Sequence, residues 1–133
     1  MIVLDTHAWV WWVSDPGRLP ERSRRAIQES LDAGEPVHVS TMSSWEVAML
    51  VARGRLELTM DVSEWIRRAE SAPEITFVPV DNPIALRAVG LEDFPHRDPA
   101  DPLIAATALV IGATLITADA RLRAYEPLTT LWD

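Results

Sequence analysis

Short apolar runs that end at polar residues recur along this sequence and limit the folds open to it. The first run, Ile2–Leu4, is apolar on both faces and stops at Asp5, which is typical of a buried strand in a parallel sheet. Similar runs occupy residues 37–39, 75–78, 114–117 and 128–131. Segments with helical periodicity lie between the runs, at residues 20–33, 43–53 and 61–72. This alternation predicts an α/β domain whose parallel sheet is covered by helices on both faces.

The chain has 133 residues, which is room for one compact domain, and no linker or repeat interrupts it. We therefore expect a single domain over residues 1–133. The longest apolar stretch, residues 102–111, is too short for a membrane span. The first residues also lack the basic region of a signal peptide. These features predict a cytoplasmic protein with no membrane association.

Two residue types are absent, and their absence excludes several chemistries. The chain has no cysteine, which removes disulfides, cysteine zinc sites and thiol nucleophiles. All twelve basic residues are arginine, so neither a P-loop lysine nor a Schiff-base lysine is available. The net charge of -8 argues against binding nucleic acid by overall charge alone. A nuclease that recruits its own cations remains compatible with that charge.

Acidic residues follow two of the expected strands, where the ligands of open α/β sheets bind. Asp5 ends the first strand and Asp119 follows the run 114–117. Each aspartate has two interpretations, because it is suited either to ligate a hard cation or to cap the next helix. Neither position alone decides between these interpretations.

Glu46 stands near the start of the helix that follows the second run. With Ser43 as N-cap, Glu46 occupies the third helical position, and the pair forms a capping box. This structural interpretation is the stronger one on local pattern. The preceding strand, however, would deliver the same helix start to the ligand-binding edge, which keeps a functional role for Glu46 open.

Asp98 and Asp101 each precede a proline, directly before the apolar segment that begins at Leu103. Either aspartate is therefore a candidate N-cap with proline at the first helical position. Three residues apart in a first turn, both carboxylates would lie on one helix face. Capping needs only one of them, so the second carboxylate indicates a further role.

Together these positions predict that several carboxylates converge at one edge of the sheet. Ionised carboxylates repel one another at such a distance, and a bound divalent cation relieves the repulsion. Oxygen ligands favour Mg²⁺ or Mn²⁺ over zinc. A site of this kind hydrolyses phosphodiesters, because the cation activates water and neutralises charge in the transition state.

The motifs in order resemble those of PIN-domain ribonucleases, and in particular VapC-type toxins of toxin–antitoxin pairs. The matching stretches are LDTHAWVWW at 4–12, STMSSWEVA at 40–48, RGRLEL at 53–58, HRDPADPLIAATA at 96–108, LITAD at 115–119 and the closing LW at 131–132. The resemblance covers essentially the whole chain. It implies a three-layer fold with about five parallel strands in the order 3-2-1-4-5 between helices.

The resemblance also implies which residues act. The acidic catalytic pocket corresponds to Asp5, Glu46, Asp101 and Asp119, with Asp98 as an additional nearby carboxylate. These residues would hold one or two Mg²⁺ or Mn²⁺ ions that activate water against an RNA phosphodiester. Thr6 and Thr117 correspond to hydroxyls beside the pocket, where we expect substrate contacts.

The resemblance further implies a homodimer and a VapB-like antitoxin partner whose C-terminal segment lies along a groove of the toxin. Two positions depart from the family pattern, since relatives usually have arginine at Pro102 and commonly a lysine near Leu50. Arg97 and Arg121 lie nearest the acidic residues in sequence, so they are our candidates for phosphate contacts.

Two other functions stay open at this level. One is a PIN nuclease for RNA processing that has no antitoxin. The other is a non-catalytic binding module in which the carboxylates are only helix caps. An adjacent reading frame for an antitoxin would separate the first from a toxin, and metal titration would separate the second from a nuclease.

Overall fold

A five-stranded parallel sheet forms the centre of the molecule. This computed structural model describes residues 1–95 and 98–133. The strands are β1 (Ile2–Leu4), β2 (Val37–Ser40), β3 (Ile75–Val78), β4 (Thr114–Ile116) and β5 (Thr130–Leu131). They pair in the order β3-β2-β1-β4-β5, and every pairing is parallel. The predicted fold class and strand order are therefore confirmed.

Helices connect the strands and cover both faces of the sheet. They are α1 (Thr6–Ser14), α2 (Glu21–Asp32), α3 (Thr41–Ala52), α4 (Val62–Ser71), α5 (Asn82–Val89), α6 (Ala100–Ile111) and α7 (Ala120–Ala124). Within residues 1–95 and 98–133, none of these helices has the length and apolarity needed to cross a bilayer.

The alternation of side chains along β1 supplies both apolar cores. Ile2 and Leu4 pack into a cluster with α1, α2 and α4, whereas Val3 enters a second cluster formed with α6 and α7. The fully buried Trp9 of α1 anchors the first cluster, with its ring centroid 4.6 Å from that of Trp65. Both faces of β1 are thus buried, which explains its uninterrupted apolar sequence.

Helix α5 and strand β5 differ from the sequence-based expectation, as does the start of α3, which is described with the site below. Helix α5 was not predicted, because Ile84 is the one buried residue it contributes while Leu86 and Val89 are 74% and 89% exposed. Its apolar residues therefore do not mark a single buried face. Strand β5 begins at Thr130, two residues later than predicted. Leu128 instead packs in the core beside α6 and α7.

Candidate active site

Four carboxylates from separate elements line one pocket at the carboxyl edge of the sheet. The pocket has a volume of about 330 Å³ and we call it the acidic pocket. Its carboxylates are Asp5 after β1, Glu46 on α3, Asp101 on α6 and Asp119 after β4. Thr6, His7 and Trp11 of α1 also line it. Because β1, β2 and β4 are adjacent and parallel, the segments that follow them meet at this edge.

Asp5 both caps a helix and faces the pocket. Its Oδ1 accepts a hydrogen bond from the Ala8 backbone N–H at 2.9 Å, and its Oδ2 accepts one from the Thr117 hydroxyl. Burial raises the pKa of Asp5, and the charge of Asp119 raises it further. The hydrogen bonds from Thr117 and Ala8, together with the His7 side chain, act in the opposite direction. The two interpretations of Asp5 are therefore compatible in one geometry.

Glu46 does not take part in a capping box, and the predicted Ser43 N-cap is wrong. Helix α3 begins at Thr41, where the Ser40 side chain accepts from the Met42 N–H at 3.0 Å. Ser43 lies inside the helix, fully buried, with its Oγ 3.0 Å from the Thr6 hydroxyl. The polar run 40–44 offers several serines and a threonine as caps, and the end of β2 decides among them. Glu46 therefore has no role in capping α3.

The surroundings of Glu46 disfavour the charged form of its carboxyl group. Burial raises the pKa of Glu46, and the charges of Asp98 and Asp5 raise it further. A hydrogen bond with Thr6 and the charge of His7 lower the pKa. Since the net direction is upward and burial is the largest cause, the site disfavours the charged form of Glu46, and the neighbouring carboxylates add to this effect.

The aspartates at the start of α6 divide the two roles between them. Asp98 is exposed, and its Oδ1 accepts from the Ala100 N–H at 2.9 Å, so it supplies the acceptor for the first N–H of α6. The N-cap position itself is Pro99, so the prediction that one of the two aspartates is the N-cap, with proline at the first helical position, is wrong. Asp101 is the second residue of α6 and lines the acidic pocket. Asp98 is not among the pocket-lining residues, although its charge reaches Glu46.

Thr117 connects the two aspartates that follow β1 and β4. Its hydroxyl donates to Asp5 Oδ2 and accepts from the Asp119 N–H at 3.1 Å. The side chain is fully buried, which leaves it no open path to a substrate. Asp119 Oδ1 in turn accepts from the Arg121 N–H at 2.8 Å and caps α7. Thr117 thus orients carboxylates, whereas the sequence suggested a substrate contact.

Of the two arginines predicted to bind phosphate, the structure describes Arg121. Arg121 is exposed on α7, and its side chain does not line the acidic pocket. Arg97 lies outside the described residues, as does the neighbouring His96. His7 does line the pocket, where its charge acts on Asp5 and Glu46. Its place at the start of α1 is the sequence signal that points to this position.

The donor set of the acidic pocket fits a hard divalent cation. All four acidic side chains offer oxygen, which suits Mg²⁺ or Mn²⁺. Burial, together with the neighbouring carboxylates, raises the pKa values of Asp5 and Glu46, and a bound cation would favour their charged forms. Among residues 1–95 and 98–133, no three acidic or histidine side chains already stand in a metal-ligand arrangement.

An α/β domain with this sheet order and an acidic pocket at its carboxyl edge has the features of a PIN-like fold. The sequence profile described as PIN domain matches residues 2–127. Ribonuclease VapC22 from Mycobacterium tuberculosis is 33% identical over 125 residues, which are 94% of this chain and 92% of that protein. The chain therefore belongs to the PIN domain family.

Solved structures agree with this fold. The structure of VapBC2 from Rickettsia felis bound to a DNA fragment from their promoter matches with a TM-score of 0.72 and 16% identity, covering all of both chains. FitAcB from Neisseria gonorrhoeae matches with a TM-score of 0.64 and 25% identity, covering 98% of this chain and 96% of that one.

Proposed function

We propose that this chain is a divalent-cation-dependent endoribonuclease and the toxin of a type II toxin–antitoxin pair. The observation that carries the proposal is the acidic pocket, in which carboxylates from four separate elements meet. Helix capping explains contacts of Asp5 and Asp119, but it explains neither Glu46 nor the grouping of all four. Membership of the PIN domain family and the similarity to a ribonuclease support the same reaction.

Asp5, Glu46, Asp101 and Asp119 are our proposed catalytic residues and would hold Mg²⁺ or Mn²⁺. When bound, such a cation lowers the pKa of water and neutralises negative charge on the phosphodiester during hydrolysis. Asp98 would contribute by its charge on Glu46 rather than as a ligand, because it accepts from the Ala100 N–H at the start of α6 and does not line the pocket.

The other residues of the site would hold the carboxylates in position. The Thr117 hydroxyl and the Ala8 N–H fix the two oxygens of Asp5, so its carboxyl plane has one orientation. Thr6 contacts Glu46 and lies 3.0 Å from Ser43 Oγ, which links the start of α1 to α3. Preorganised carboxylates lose little free energy to reorientation when a cation and substrate bind.

We further propose a VapB-like antitoxin as partner, a homodimeric assembly, a cytoplasmic location and a single domain over residues 1–133. The antitoxin proposal rests on the similarity of this chain to the structures of VapBC2 and FitAcB. The single-domain proposal rests on both apolar cores packing against the same strand, β1.

Expression of the chain alone should arrest growth, and co-expression of the antitoxin from an adjacent reading frame should restore it. Unimpaired growth despite RNA cleavage in vitro would favour an RNA-processing nuclease instead.

The ribonuclease proposal is tested by RNA cleavage with Mg²⁺ or Mn²⁺, with and without EDTA. We expect cleavage that EDTA stops and that Asp101→Asn lowers by at least about a hundredfold, since removing one electrostatic partner of the transition state costs about that much. Asp61→Asn is the matched control, because Asp61 caps α4 through Ser63 N–H and lies outside the acidic pocket. Cleavage that ignores EDTA and Asp101→Asn would contradict the proposal.

A further inference from the structure

A second pocket of opposite charge adjoins the acidic pocket. It has a volume of about 540 Å³, and we call it the basic pocket. The two pockets share Thr6, His7 and Trp11 as lining residues, so they are neighbouring parts of one surface depression. Arg18 and Arg55 line the basic pocket, and no aspartate or glutamate of the described residues does. The depression therefore changes from negative to positive along its length.

An aromatic side chain holds the first of these arginines in place. The guanidinium carbon of Arg18 lies 4.3 Å from the centroid of the Trp11 ring, a cation–π contact. Trp11 is itself packed against Trp132, with ring centroids 5.8 Å apart. An arginine that stacks on an aromatic ring keeps the N–H donors at its edge, where they suit a phosphate.

The end of α3 fixes the second arginine. Gly54 adopts a left-handed backbone conformation with φ of 69°, and its N–H donates to the Val51 carbonyl. The Arg55 N–H donates to the Leu50 carbonyl at 2.9 Å, which completes a Schellman motif. The backbone of Arg55 is thus anchored beside the pocket. In the described part of the chain, neither Arg18 nor Arg55 forms an ion pair.

We propose that Arg18 and Arg55 bind backbone phosphates of single-stranded RNA on one side of the bond that is cleaved. The inference rests on the proposed ribonuclease function and specifies the path of its substrate. A chain with net charge -8 repels RNA in general, so local cations must retain the strand next to the reacting phosphate. Arginines without an acidic partner keep their donors for phosphate. Arg18 and Arg55 are therefore better candidates for phosphate contacts than Arg121, which lines neither pocket.

The salt dependence of RNA binding measures how many phosphates the protein neutralises, so it tests directly whether Arg18 and Arg55 bind phosphates. Binding of a fluorescent single-stranded RNA is measured by anisotropy in EDTA, which prevents cleavage. We expect the slope of log affinity against log salt to become shallower by about 1.4 in the Arg18→Gln/Arg55→Gln variant, since each neutralised phosphate of a single strand contributes about 0.7. Arg24→Gln removes an exposed arginine that lines neither pocket, and it should keep the wild-type slope.

A gain of charge provides an independent check. Leu50 lines the same pocket, so Leu50→Lys adds a cation there and should steepen the slope by about 0.7. If neither the double variant nor Leu50→Lys changes the slope relative to Arg24→Gln, the proposal is overturned. Weaker antitoxin binding by the double variant with an unchanged RNA slope would overturn it too, because the arginines would then serve a protein partner.

Substrate truncation tests whether the bound phosphates lie on one side of the cleaved bond. With Mn²⁺ present, removing nucleotides from one end of the RNA should abolish the difference between wild type and the double variant. Removing them from the other end should preserve it. An equal effect of both truncations would contradict a one-sided path. Cleavage by the wild type with unchanged slopes overturns this inference alone, whereas a wild type that neither binds nor cleaves RNA overturns the proposed function as well.

Discussion

Replacing Ser40 by alanine should destabilise the chain, because the Ser40 side chain caps the helix that carries Glu46. Ser40 is fully buried, and alanine would leave the Met42 N–H without the acceptor that now lies 3.0 Å away. Removal of a serine N-cap costs about 1 kcal/mol. For a chain of 133 residues, an unfolding entropy of about 2.1 cal/mol/K per residue converts this cost into a melting temperature lower by about 4 °C.

Glu46→Gln should behave in the opposite way in the same experiment. Glu46 caps nothing, and burial together with Asp98 and Asp5 raises its pKa, so a neutral side chain relieves repulsion. We therefore expect no fall in melting temperature for the metal-free variant at neutral pH. A capping box with Ser43 would tolerate glutamine at this position, so Glu46→Gln tests the repulsion at Glu46, whereas Ser40→Ala tests where α3 begins.

The assay is thermal unfolding followed by circular dichroism in EDTA. Ser44→Ala serves as the control in the same helix, since Ser44 does not cap α3 and its replacement should leave the melting temperature unchanged or slightly higher. An unchanged melting temperature for Ser40→Ala would refute the assignment of Ser40 as the N-cap of α3. A fall for Glu46→Gln would refute the claim that its carboxylate is held in an unfavourable environment.

The remaining predictions concern the charges of the site and the end of α3. Thr117→Val removes a hydrogen bond that lowers the pKa of Asp5, so the acidic limb of the pH–rate profile for RNA cleavage should move to higher pH. Thr107→Val removes a hydrogen bond to the Leu103 carbonyl outside the acidic pocket and should leave that limb in place. The raised pKa values of Asp5 and Glu46 mean that the folded chain binds more protons than the unfolded chain above their ordinary values of 3.8 and 4.5. The stability that these two groups contribute to the metal-free protein should therefore fall as pH rises from the ordinary pKa values to the raised values of the folded chain. Mn²⁺ should raise the melting temperature more at neutral than at acidic pH, and calorimetry can measure both effects. Gly54→Ala places a side chain at a φ of 69°, and we expect a cost of about 1 kcal/mol in urea unfolding.

Sequence patterns predicted the architecture well because burial dictates it. The apolar run at Ile2–Leu4 lies between two cores, so its composition reports a central parallel strand directly. The helices with a clear apolar face, such as α4 with Trp65 and Ala69, were found for the same reason. Helix α5 escaped prediction because Leu86 and Val89 are exposed, and hydrophobic periodicity reports burial rather than helicity.

The acidic residues were found at the right edge, but their individual duties depend on tertiary contacts. The helix start at Thr41 is fixed by the end of β2, and a local serine-rich pattern does not contain that information. The sharing of roles between Asp98 and Asp101 likewise depends on where α6 begins. Arg18 and Arg55 were not predicted as phosphate contacts, because their neighbours in sequence include none of the carboxylates that line the acidic pocket.

The central claim is that the acidic pocket is a cation site and not a coincidence of helix caps. The most direct measurement is a Mn²⁺ titration of the metal-free chain, by calorimetry, beside Asp119→Asn and the Asp61→Asn control. We predict saturable binding that Asp119→Asn weakens by at least about tenfold and that Asp61→Asn leaves unchanged. Absence of saturable binding, or equal weakening by the two variants, would contradict the claim and leave the four carboxylates with structural roles alone.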